Sequence, residues 1–219
     1  MSGNYELICV GASWGGLHAV SELLSDLPPE LEQPIVLAQH RYVGSLSVLP
    51  ALLGQQTDRR VVDVDDKMAI EPNHVYIAPP DYHLLVQRGS FALSVDARVQ
   101  HARPSIDVLF ESAANVYGAG VIGVILTGAN QDGAAGLARI KQRGGVAIVQ
   151  DPAGAERPTM PEAALAATVA EAVLPLHEIG KFIHGLCVEV GRRSRLSATA
   201  DQWRGSGRTG RFPQREQRV

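Results

Sequence analysis

Residues 5–16 read Tyr-Glu-Leu-Ile-Cys-Val-Gly-Ala-Ser-Trp-Gly-Gly, a short apolar run followed at once by a glycine-rich turn. An apolar run of this length that ends at a glycine predicts a buried strand. Residues 14–25 continue with apolar side chains at the spacing of one helix face, namely Leu17, Val20, Leu23 and Leu24. The segment therefore predicts a strand, a sharp turn and a helix in direct succession.

The remainder of the chain repeats this alternation of strands and helices. Strands are predicted at 34–38, within 59–80 with the best at 74–78, at 120–127 and at 145–150. Helices are predicted at 43–53, at 104–117 with Pro104 in the first helical position, at 132–143, at 160–168 and at 175–190. Strands that are apolar throughout indicate a parallel sheet covered on both faces. We therefore predict an α/β fold with a doubly wound, mostly parallel sheet, helices on both faces, and a small antiparallel hairpin at 83–95.

The composition excludes several classes of protein. Hydrophobic residues make up 45% of the 219 residues, which indicates a globular chain. No apolar run is long enough to span a bilayer, and the N-terminus lacks the basic and apolar regions of a secretory signal. The two cysteines, Cys9 and Cys187, match neither a disulfide framework nor a metal-binding spacing. We therefore expect a cytoplasmic protein.

The charge distribution divides the chain into a domain and a tail. The net charge is −3, yet residues 192–219 hold eight arginines against two acidic residues. We therefore predict a domain at 1–191 and a basic, disordered tail at 192–219, because the tail has little apolar surface to bury. The tail has only Trp203 and Phe212 as aromatic residues and contains no recognisable reading module, so we expect no specific binding of nucleic acid.

A serine, a histidine and an aspartate follow three of the predicted strands. Ser13 comes after the first strand, His40 after the second, and Asp132 after the strand at 120–127. In open α/β sheets, ligands bind outside the carboxyl ends of the strands. A serine hydroxyl needs a base to take its proton and a carboxylate to orient that base, in any chain order. We therefore predict a catalytic triad, although each residue alone also has a structural explanation, which for Ser13 is a helix N-cap.

The surroundings of Ser13 favour this prediction. The serine lies in Gly-x-Ser-x-Gly between a strand and a helix, the pattern of a nucleophile elbow. At this position the N–H of Trp14 and the helix dipole can stabilise an oxyanion. The same loop also resembles a dinucleotide-binding motif whose middle glycine is replaced by serine. A nucleotide-binding oxidoreductase therefore remains an alternative, although the second strand ends in Gln39-His40 rather than in an acidic residue that would hold a ribose.

Six segments, in order, resemble the catalytic domain of the chemotaxis-specific protein-glutamate methylesterases. They cover roughly residues 5–190 and are GASWGG at 11–16, QH at 39–40, IAPPDYH at 77–83, RPSIDVLF at 103–110, LTGANQDGAAG at 126–136, and the stretch at 151–161. The resemblance implies a serine esterase that hydrolyses glutamate methyl esters on chemoreceptor helices and releases methanol. In some members it also implies deamidation of glutamine. The residues that match the family's triad are Ser13, His40 and Asp132, and neither a metal nor an organic cofactor is implied.

The chain departs from the family pattern at two positions. Alanine occupies position 129, where the family usually has a methionine that helps to form the oxyanion pocket, and the bulky Trp14 follows the matching serine in place of a small residue. We expect Trp14 and Ala129 to lie beside the oxyanion and the substrate, and the polar loop at 151–159 to overhang the site. His83 and Arg103 fall within family segments, and we expect them to be structural.

Many members of the family also carry an N-terminal receiver domain, for which there is no room before Tyr5. We therefore expect activity without phosphorylation, with control by a separate response-regulator or methyltransferase partner, by substrate availability or by localisation. A non-catalytic adaptor that keeps the fold and binds receptors remains a second alternative. Hydrolysis of an ester would distinguish the enzyme from the adaptor.

Overall fold

The structure, a computed structural model, describes residues 5–41 and 48–188. Its strands are β1 (Leu7–Ala12), β2 (Ile35–Gln39), β3 (Arg60–Asp63), β4 (His74–Ile77), β5 (His83–Gln87), β6 (Ser90–Ser94), β7 (Val121–Ile125), β8 (Val146–Gln150) and β9 (Ala172–Leu174). Its helices are α1 (Gly16–Asp26), α2 (Leu49–Gly54), α3 (Ile106–Tyr117), α4 (Ala134–Gln142), α5 (Thr159–Ala167) and α6, which covers 176–188 of the described residues. Short 3₁₀ helices occur at Gly118–Gly120 and Pro152–Gly154.

Seven of the described strands form one parallel sheet in the order β3-β4-β2-β1-β7-β8-β9. The other two, β5 and β6, pair with each other as an antiparallel hairpin. The chain first forms the half of the sheet on one side of β1, with β3 at the edge and β4 between β3 and β2, and then returns to place β7 on the other side of β1. The sheet is therefore doubly wound, with its topological switch point between β1 and β7, and the predicted fold class is confirmed.

Helices cover both faces of the sheet because successive side chains of a strand point to opposite sides. In β1, Leu7 and Cys9 belong to the cluster that includes residues of α3, α4, α5 and the hairpin. Ile8 and Val10 belong to the cluster that includes residues of α1, α2 and α6. Both faces of β1 are therefore buried, which explains why this strand is apolar throughout.

Backbone hydrogen bonds continue past the carboxyl ends of the three central strands. The N–H of His40 donates to the carbonyl oxygen of Ala12 at 3.2 Å, and the N–H of Ser13 donates to that of Thr127 at 3.0 Å. The residues that follow β2, β1 and β7 therefore lie side by side at one edge of the sheet. This edge is the place where a doubly wound fold binds its ligands.

Three predicted features differ from the structure. The first helix begins at Gly16 rather than at residue 14, because residues 13–15 form the turn after β1. The prediction of Pro104 in the first helical position is wrong: α3 begins at Ile106, because Ser105 is its N-cap and accepts the N–H of Val108 with its side chain. Strand β9 was not predicted, because three residues at the sheet edge are too few to form a recognisable pattern.

Two predictions lie partly or wholly outside the described residues. The helix predicted at 43–53 is described only as α2, and the predicted tail at 192–219 is not described. Across 5–41 and 48–188, no helix combines the length and the apolar character needed to cross a membrane.

The substitution Gly136→Ala tests the close contact between α3 and α4. A Cβ atom at this position would lie 2.6 Å from the Cβ of Phe110 and 3.0 Å from the backbone of Asp107, so the helices would have to move apart. We expect the free energy of unfolding, measured by urea denaturation, to fall by about 1–3 kcal/mol, the usual cost of overpacking.

The matched control is Gly54→Ala in α2, where the nearest atom to an added Cβ is 4.0 Å away. Alanine is the better helix former, so we expect the control to leave the free energy of unfolding unchanged or to raise it by up to about 1 kcal/mol. Equal losses in the two variants would contradict the importance of the α3–α4 contact.

Candidate active site

The imidazole of His40 lies between the other two predicted catalytic residues. Its Nδ1 is 3.2 Å from the hydroxyl oxygen of Ser13, and its Nε2 is 2.7 Å from a carboxylate oxygen of Asp132. The histidine is 27 positions from the serine and 92 from the aspartate in the chain. The structure thus brings together the three side chains that the strand-end argument selected.

The neighbours of His40 select one tautomer of its neutral ring. The ionised carboxylate of Asp132 only accepts hydrogen bonds, so Nε2 carries the ring hydrogen. The amide of Asn130 is oriented by the backbone N–H of Asp132, which donates to its Oδ1 at 3.3 Å, and its Nδ2 lies 3.3 Å from Nδ1 of the ring. Nδ1 therefore keeps its lone pair and faces the hydroxyl of Ser13. The ring is turned over relative to the chymotrypsin triad, in which Nε2 faces the serine.

The turn after β1 leaves the hydroxyl of Ser13 available to the imidazole. The N-cap of α1 is Gly15, whose φ of 75° favours glycine, so Ser13 lies before the helix and does not cap it. The N–H of Ser13 donates to the carbonyl oxygen of Thr127. The carbonyl oxygen of Ser13 accepts the N–H of Gly16 at 2.9 Å and the side-chain amide of Gln39 at 2.8 Å. The backbone is therefore held on both sides while the side chain faces His40.

Asp132 is fully buried, and its carboxylate caps the N-terminus of α3. It accepts hydrogen bonds from the hydroxyl of Ser105 at 2.8 Å and from the N–H groups of Ile106 and Asp107 at 2.7 and 3.0 Å, besides the bond from His40. Burial acts to raise the pKa of Asp132, but the hydrogen bonds from His40 and from the two N–H groups outweigh it, and the pKa lies below its usual value. The carboxylate is therefore ionised and able to orient the imidazole.

A second carboxylate, that of Asp107 in α3, accepts hydrogen bonds from the start of α4. Asp107 accepts the N–H groups of Gly133 at 2.9 Å and of Gly136 at 2.7 Å with one oxygen, and the side chain of Gln100 at 3.1 Å with the other. Burial and the negative charge of Asp132 together raise the pKa of Asp107 despite these hydrogen bonds. The two helices thus exchange capping carboxylates, and the exchange fixes Asp132 beneath His40.

The two residues predicted to lie beside an oxyanion are Trp14 and Ala129. Neither of their backbone N–H groups has an acceptor among the residues that the structure describes. Trp14 is 56% exposed; its Nε1–H donates to Glu156 at 2.8 Å, and the guanidinium of Arg157 lies over its ring at 5.3 Å. The segment at 151–159 therefore contacts the residue that follows Ser13.

A cavity of about 570 Å³ opens beside Ser13 and His40. Its described lining includes Arg41, Arg98, Arg103 and His101 and contains no acidic side chain. Arg103 lies in this wall, but its guanidinium is bound to Asp81 at 2.8 Å and to two backbone carbonyl groups. The cavity therefore places arginine side chains next to the triad, each of them ion-paired with Asp63 or Asp81.

His83 does not face the cavity. It is buried, its Nδ1 accepts the N–H of Ser105 at 3.2 Å, and its Nε2–H donates to the carbonyl oxygen of Ala97 at 3.0 Å. These contacts join the start of α3 to the segment that forms the cavity wall.

Four residues of the site were not singled out by the sequence analysis: Arg41, Asn130, Ser105 and Asp107. Asn130 lies in the segment after β7, and its amide next to Asp132 is the signal that could have identified it. Ser105, just before α3, is a typical N-cap residue, but nothing in the sequence around it shows that its hydroxyl binds Asp132. The role of Asp107 depends on the packing of α3 against α4, which leaves no local pattern.

The arrangement suits nucleophilic attack on a carbonyl group. A hydroxyl contacts the lone pair of a neutral imidazole, and a buried carboxylate stabilises the imidazolium that forms when the proton is taken. Within 5–41 and 48–188, no group of three or more His, Cys, Asp or Glu residues is placed to hold a metal ion.

Comparisons with known proteins give a consistent result. A family model described as CheB methylesterase matches residues 8–183. The chain is 45% identical over 179 residues to a putative protein-glutamate methylesterase/protein-glutamine glutaminase of Leptospira interrogans, and the match covers 81% of this chain and 93% of the relative. It is 40% identical over 177 residues to protein-glutamate methylesterase FrzG of Myxococcus xanthus, where the match covers 80% of this chain but only 53% of the relative.

A solved structure has the same fold. The crystal structure of the Thermotoga maritima CheB methylesterase catalytic domain superimposes with a TM-score of 0.79 at 31% sequence identity. The match covers 83% of this chain and 98% of that domain. The resemblance inferred from the six sequence segments is therefore confirmed.

The substitution Asp132→Asn tests the ionised state of the buried carboxylate. An amide at this position would turn an N–H₂ group toward donors, so we expect the free energy of unfolding at pH 7 to fall by about 2 kcal/mol or more. Because the pKa of Asp132 is lowered by folding, its contribution is present above about pH 4 and is lost as the pH falls below that value. The difference between the natural protein and the variant should therefore shrink between pH 7 and pH 3 in urea titrations.

The control is Asp58→Asn, which changes an exposed carboxylate. It should leave the free energy of unfolding within about 0.5 kcal/mol of the natural value at both pH values. A difference for Asp132→Asn that stays constant down to pH 3 would show that the carboxylate is not held in its ionised form.

Proposed function

The chain belongs to the CheB methylesterase family, and from that membership we propose that it is a serine hydrolase that removes methyl groups from glutamate methyl esters on chemoreceptor proteins. Two of the relatives described above carry the name protein-glutamate methylesterase. The observation that carries the proposal is the placement of the His40 imidazole, whose two nitrogens contact Ser13 and Asp132. Ser13, His40 and Asp132, which the proposed chemistry uses, all lie within the described residues 5–41 and 48–188.

In the proposed mechanism, Nδ1 of His40 takes the proton of Ser13 while the hydroxyl oxygen attacks the ester carbonyl. The tetrahedral intermediate then collapses, the imidazolium returns the proton to the departing methoxide, and methanol leaves. A water molecule then attacks the glutamyl ester on Ser13 and gives its proton to the same nitrogen, and the imidazolium returns that proton to the Ser13 oxygen as the glutamate leaves. Asp132 stabilises the imidazolium in both steps.

The oxyanion of this intermediate needs donors that are already in place. We assign this role to the backbone N–H groups of Trp14 and Ala129, since neither has an acceptor among the described residues. A backbone N–H is supplied by any residue, so alanine at position 129 is compatible with the role. Asn130 contributes by orienting the imidazole lone pair.

The same machinery extends to side-chain amides, because ammonia can leave from the tetrahedral intermediate in place of methanol. The Leptospira relative is named a protein-glutamine glutaminase as well as a methylesterase.

We propose methylated receptor helices as the substrate, a separate response regulator or methyltransferase as partner, and a cytoplasmic location. The domain at 1–191 and the basic tail at 192–219 remain predictions.

The alternatives are less well supported. A nucleotide-binding oxidoreductase would need a glycine where this chain has Ser13. It would also need an acidic residue at the end of the second strand to bind the ribose, whereas Gln39 lies there and donates to the carbonyl oxygen of Ser13. A non-catalytic adaptor would not need a serine hydroxyl in contact with a histidine base. Labelling by a fluorophosphonate distinguishes the adaptor, because only an activated serine reacts.

The substitution Ser13→Ala removes the proposed nucleophile. We expect methanol release from methylated receptor to fall by at least about a thousandfold and fluorophosphonate labelling to be lost, while circular dichroism and thermal unfolding stay close to natural values. The control is Ser25→Ala, which removes an exposed hydroxyl near the end of α1 and should retain full activity. Substantial turnover by purified Ser13→Ala protein would contradict a serine mechanism.

The substitution His40→Ala tests whether the residues act as a unit. We expect a severe loss of methanol release in the single variant and little further loss when it is combined with Ser13→Ala, because the base has no function without its nucleophile. Activities of the single and double variants are compared on the same methylated receptor. Losses that multiply in the double variant would argue for independent roles.

A further inference from the structure

A second donor shares the lone pair of His40 with Ser13. The side-chain nitrogen of Asn130, Nδ2, lies 3.3 Å from Nδ1 of the imidazole, and the hydroxyl oxygen of Ser13 lies 3.2 Å from the same atom. A neutral imidazole has only one acceptor nitrogen, so the two donors compete for it. An N–H held on this lone pair opposes the transfer of the serine proton, which indicates that the amide has a further role in the reaction.

The amide of Asn130 presents a donor to the reacting groups. Its Oδ1 accepts the backbone N–H of Asp132 at 3.3 Å, and this bond turns Nδ2 toward His40. Nδ2 carries two hydrogens, and among the residues that the structure describes its only partner is Nδ1 of His40. Asn130 also lines the cavity together with Ser13 and His40. Its Nδ2 is therefore able to donate to a ligand in the cavity.

The contact between Asn130 and His40 is lost when the base takes its proton. Nδ1 then carries a hydrogen and has no lone pair left to accept one from Nδ2. The amide hydrogens of Asn130 are thus released as the tetrahedral intermediate forms. The proton on Nδ1 passes next to the leaving group, which must lie within hydrogen-bond distance of that nitrogen. Because Nδ2 is only 3.3 Å from Nδ1, a leaving atom in this position is also within reach of the amide.

The number of lone pairs distinguishes the two leaving groups of the proposed chemistry. The methoxy oxygen of an ester has two lone pairs in the tetrahedral intermediate, so it accepts the proton of Nδ1 and a hydrogen of Asn130 together. The nitrogen of a glutamine side chain has one lone pair there, and the proton of Nδ1 occupies it. The hydrogens of that nitrogen then face the hydrogens of Asn130. A donor that faces another donor forms no hydrogen bond and costs free energy.

We propose that Asn130 is a specificity-determining donor that assists the departure of methoxide and disfavours the departure of ammonia. This inference rests on the proposed function and names the preferred substrate of the same site, glutamate methyl esters over glutamine side chains. In the ester reaction, the bond from the former carbonyl carbon to the methoxy oxygen breaks and its electron pair stays on that oxygen. The oxygen takes the proton from Nδ1 of His40 while Nδ2 of Asn130 donates to it. A site that donates to one substrate atom rejects an analogue that cannot accept.

The first test varies the leaving group on one synthetic peptide. Its glutamate side chain carries either a methyl ester or a nitrophenyl ester, and the release of methanol or nitrophenol gives kcat/KM for each. Nitrophenolate is a stable anion that leaves without a donor, whereas methoxide is a strong base. We expect Asn130→Ala to lower the ratio of kcat/KM for the methyl ester over that for the nitrophenyl ester about tenfold, the value of one hydrogen bond. A role in orienting His40 would not change this ratio, because the same base activates Ser13 in both reactions.

The second test replaces the methyl ester with glutamine at the same position of the peptide. Asn130→Asp keeps an acceptor for the N–H of Asp132 and places a carboxylate oxygen where the donor was, so that a departing ammonia finds an acceptor there. We expect the ratio of methanol release to ammonia release to fall about tenfold in Asn130→Ala and further in Asn130→Asp. The aspartate also provides a second variant if Asn130→Ala fails to fold. If ammonia release is below detection in every protein, the ratio of the two esters decides.

The matched control is Asn115→Ala in α3. Asn115 is exposed, and its Oδ1 accepts a hydrogen bond from Arg139 at 2.9 Å, away from the residues that line the cavity. The control removes the same side chain from a position that the reaction does not use. It should leave the ratio of the two esters and the ratio of methanol to ammonia at the values of the unmodified protein.

The results separate this inference from the proposed function. An unmodified protein that releases no methanol would overturn the proposed function, and the inference with it. If the unmodified protein does release methanol, equal losses for the methyl and nitrophenyl esters in a folded Asn130→Ala variant would overturn the inference alone, because Asn130 would then act only through His40. A methanol-to-ammonia ratio that is unchanged or higher in Asn130→Asp would also overturn it.

Discussion

The helices α3 and α4 each begin with backbone N–H groups that donate to a carboxylate from the other helix or from the turn before it. Asp132, at the approach to α4, accepts the first N–H groups of α3, and Asp107, in the first turn of α3, accepts the N–H groups at the start of α4. Hydrogen bonds to a charged group contribute about 1.5–3 kcal/mol each, so this exchange is a strong local constraint. It explains why two carboxylates are buried close together although the charge of one raises the pKa of the other.

The geometry of the site follows from that constraint. With Asp132 fixed at the N-terminus of α3, one of its oxygens points at Nε2 of His40, and the opposite nitrogen of the ring is directed at Ser13. The strands position the serine and the histidine, since backbone hydrogen bonds align the residues that follow β2, β1 and β7. The serine and histidine are therefore positioned by the sheet and the aspartate by the helices, and the hydrogen bonds of His40 join the two layers.

The sequence predicted those parts of the molecule that depend on local patterns. Apolar runs and helix-face spacing gave the order of the main elements, and the rule that ligands bind at strand ends brought Ser13, His40 and Asp132 into one hypothesis. Contacts between elements distant in the chain were not predictable in this way. The hydrogen bonds of Arg41 depend on the positions of Asp63 and Ala78. The start of α3 was misplaced because the N-cap side chain of Ser105, rather than Pro104, determines it.

The double role of Asp132 has a consequence for how such a chain could change over evolutionary time. Its carboxylate is required by the fold at the start of α3, whether or not His40 needs orienting. Ser13 has no comparable structural duty for its hydroxyl, because the helix that follows is capped by Gly15. A descendant released from selection for catalysis would therefore lose the serine first and keep the aspartate. The presence of the aspartate in a distant homologue would accordingly be evidence of a shared fold, and only the serine and histidine together would be evidence of a shared reaction.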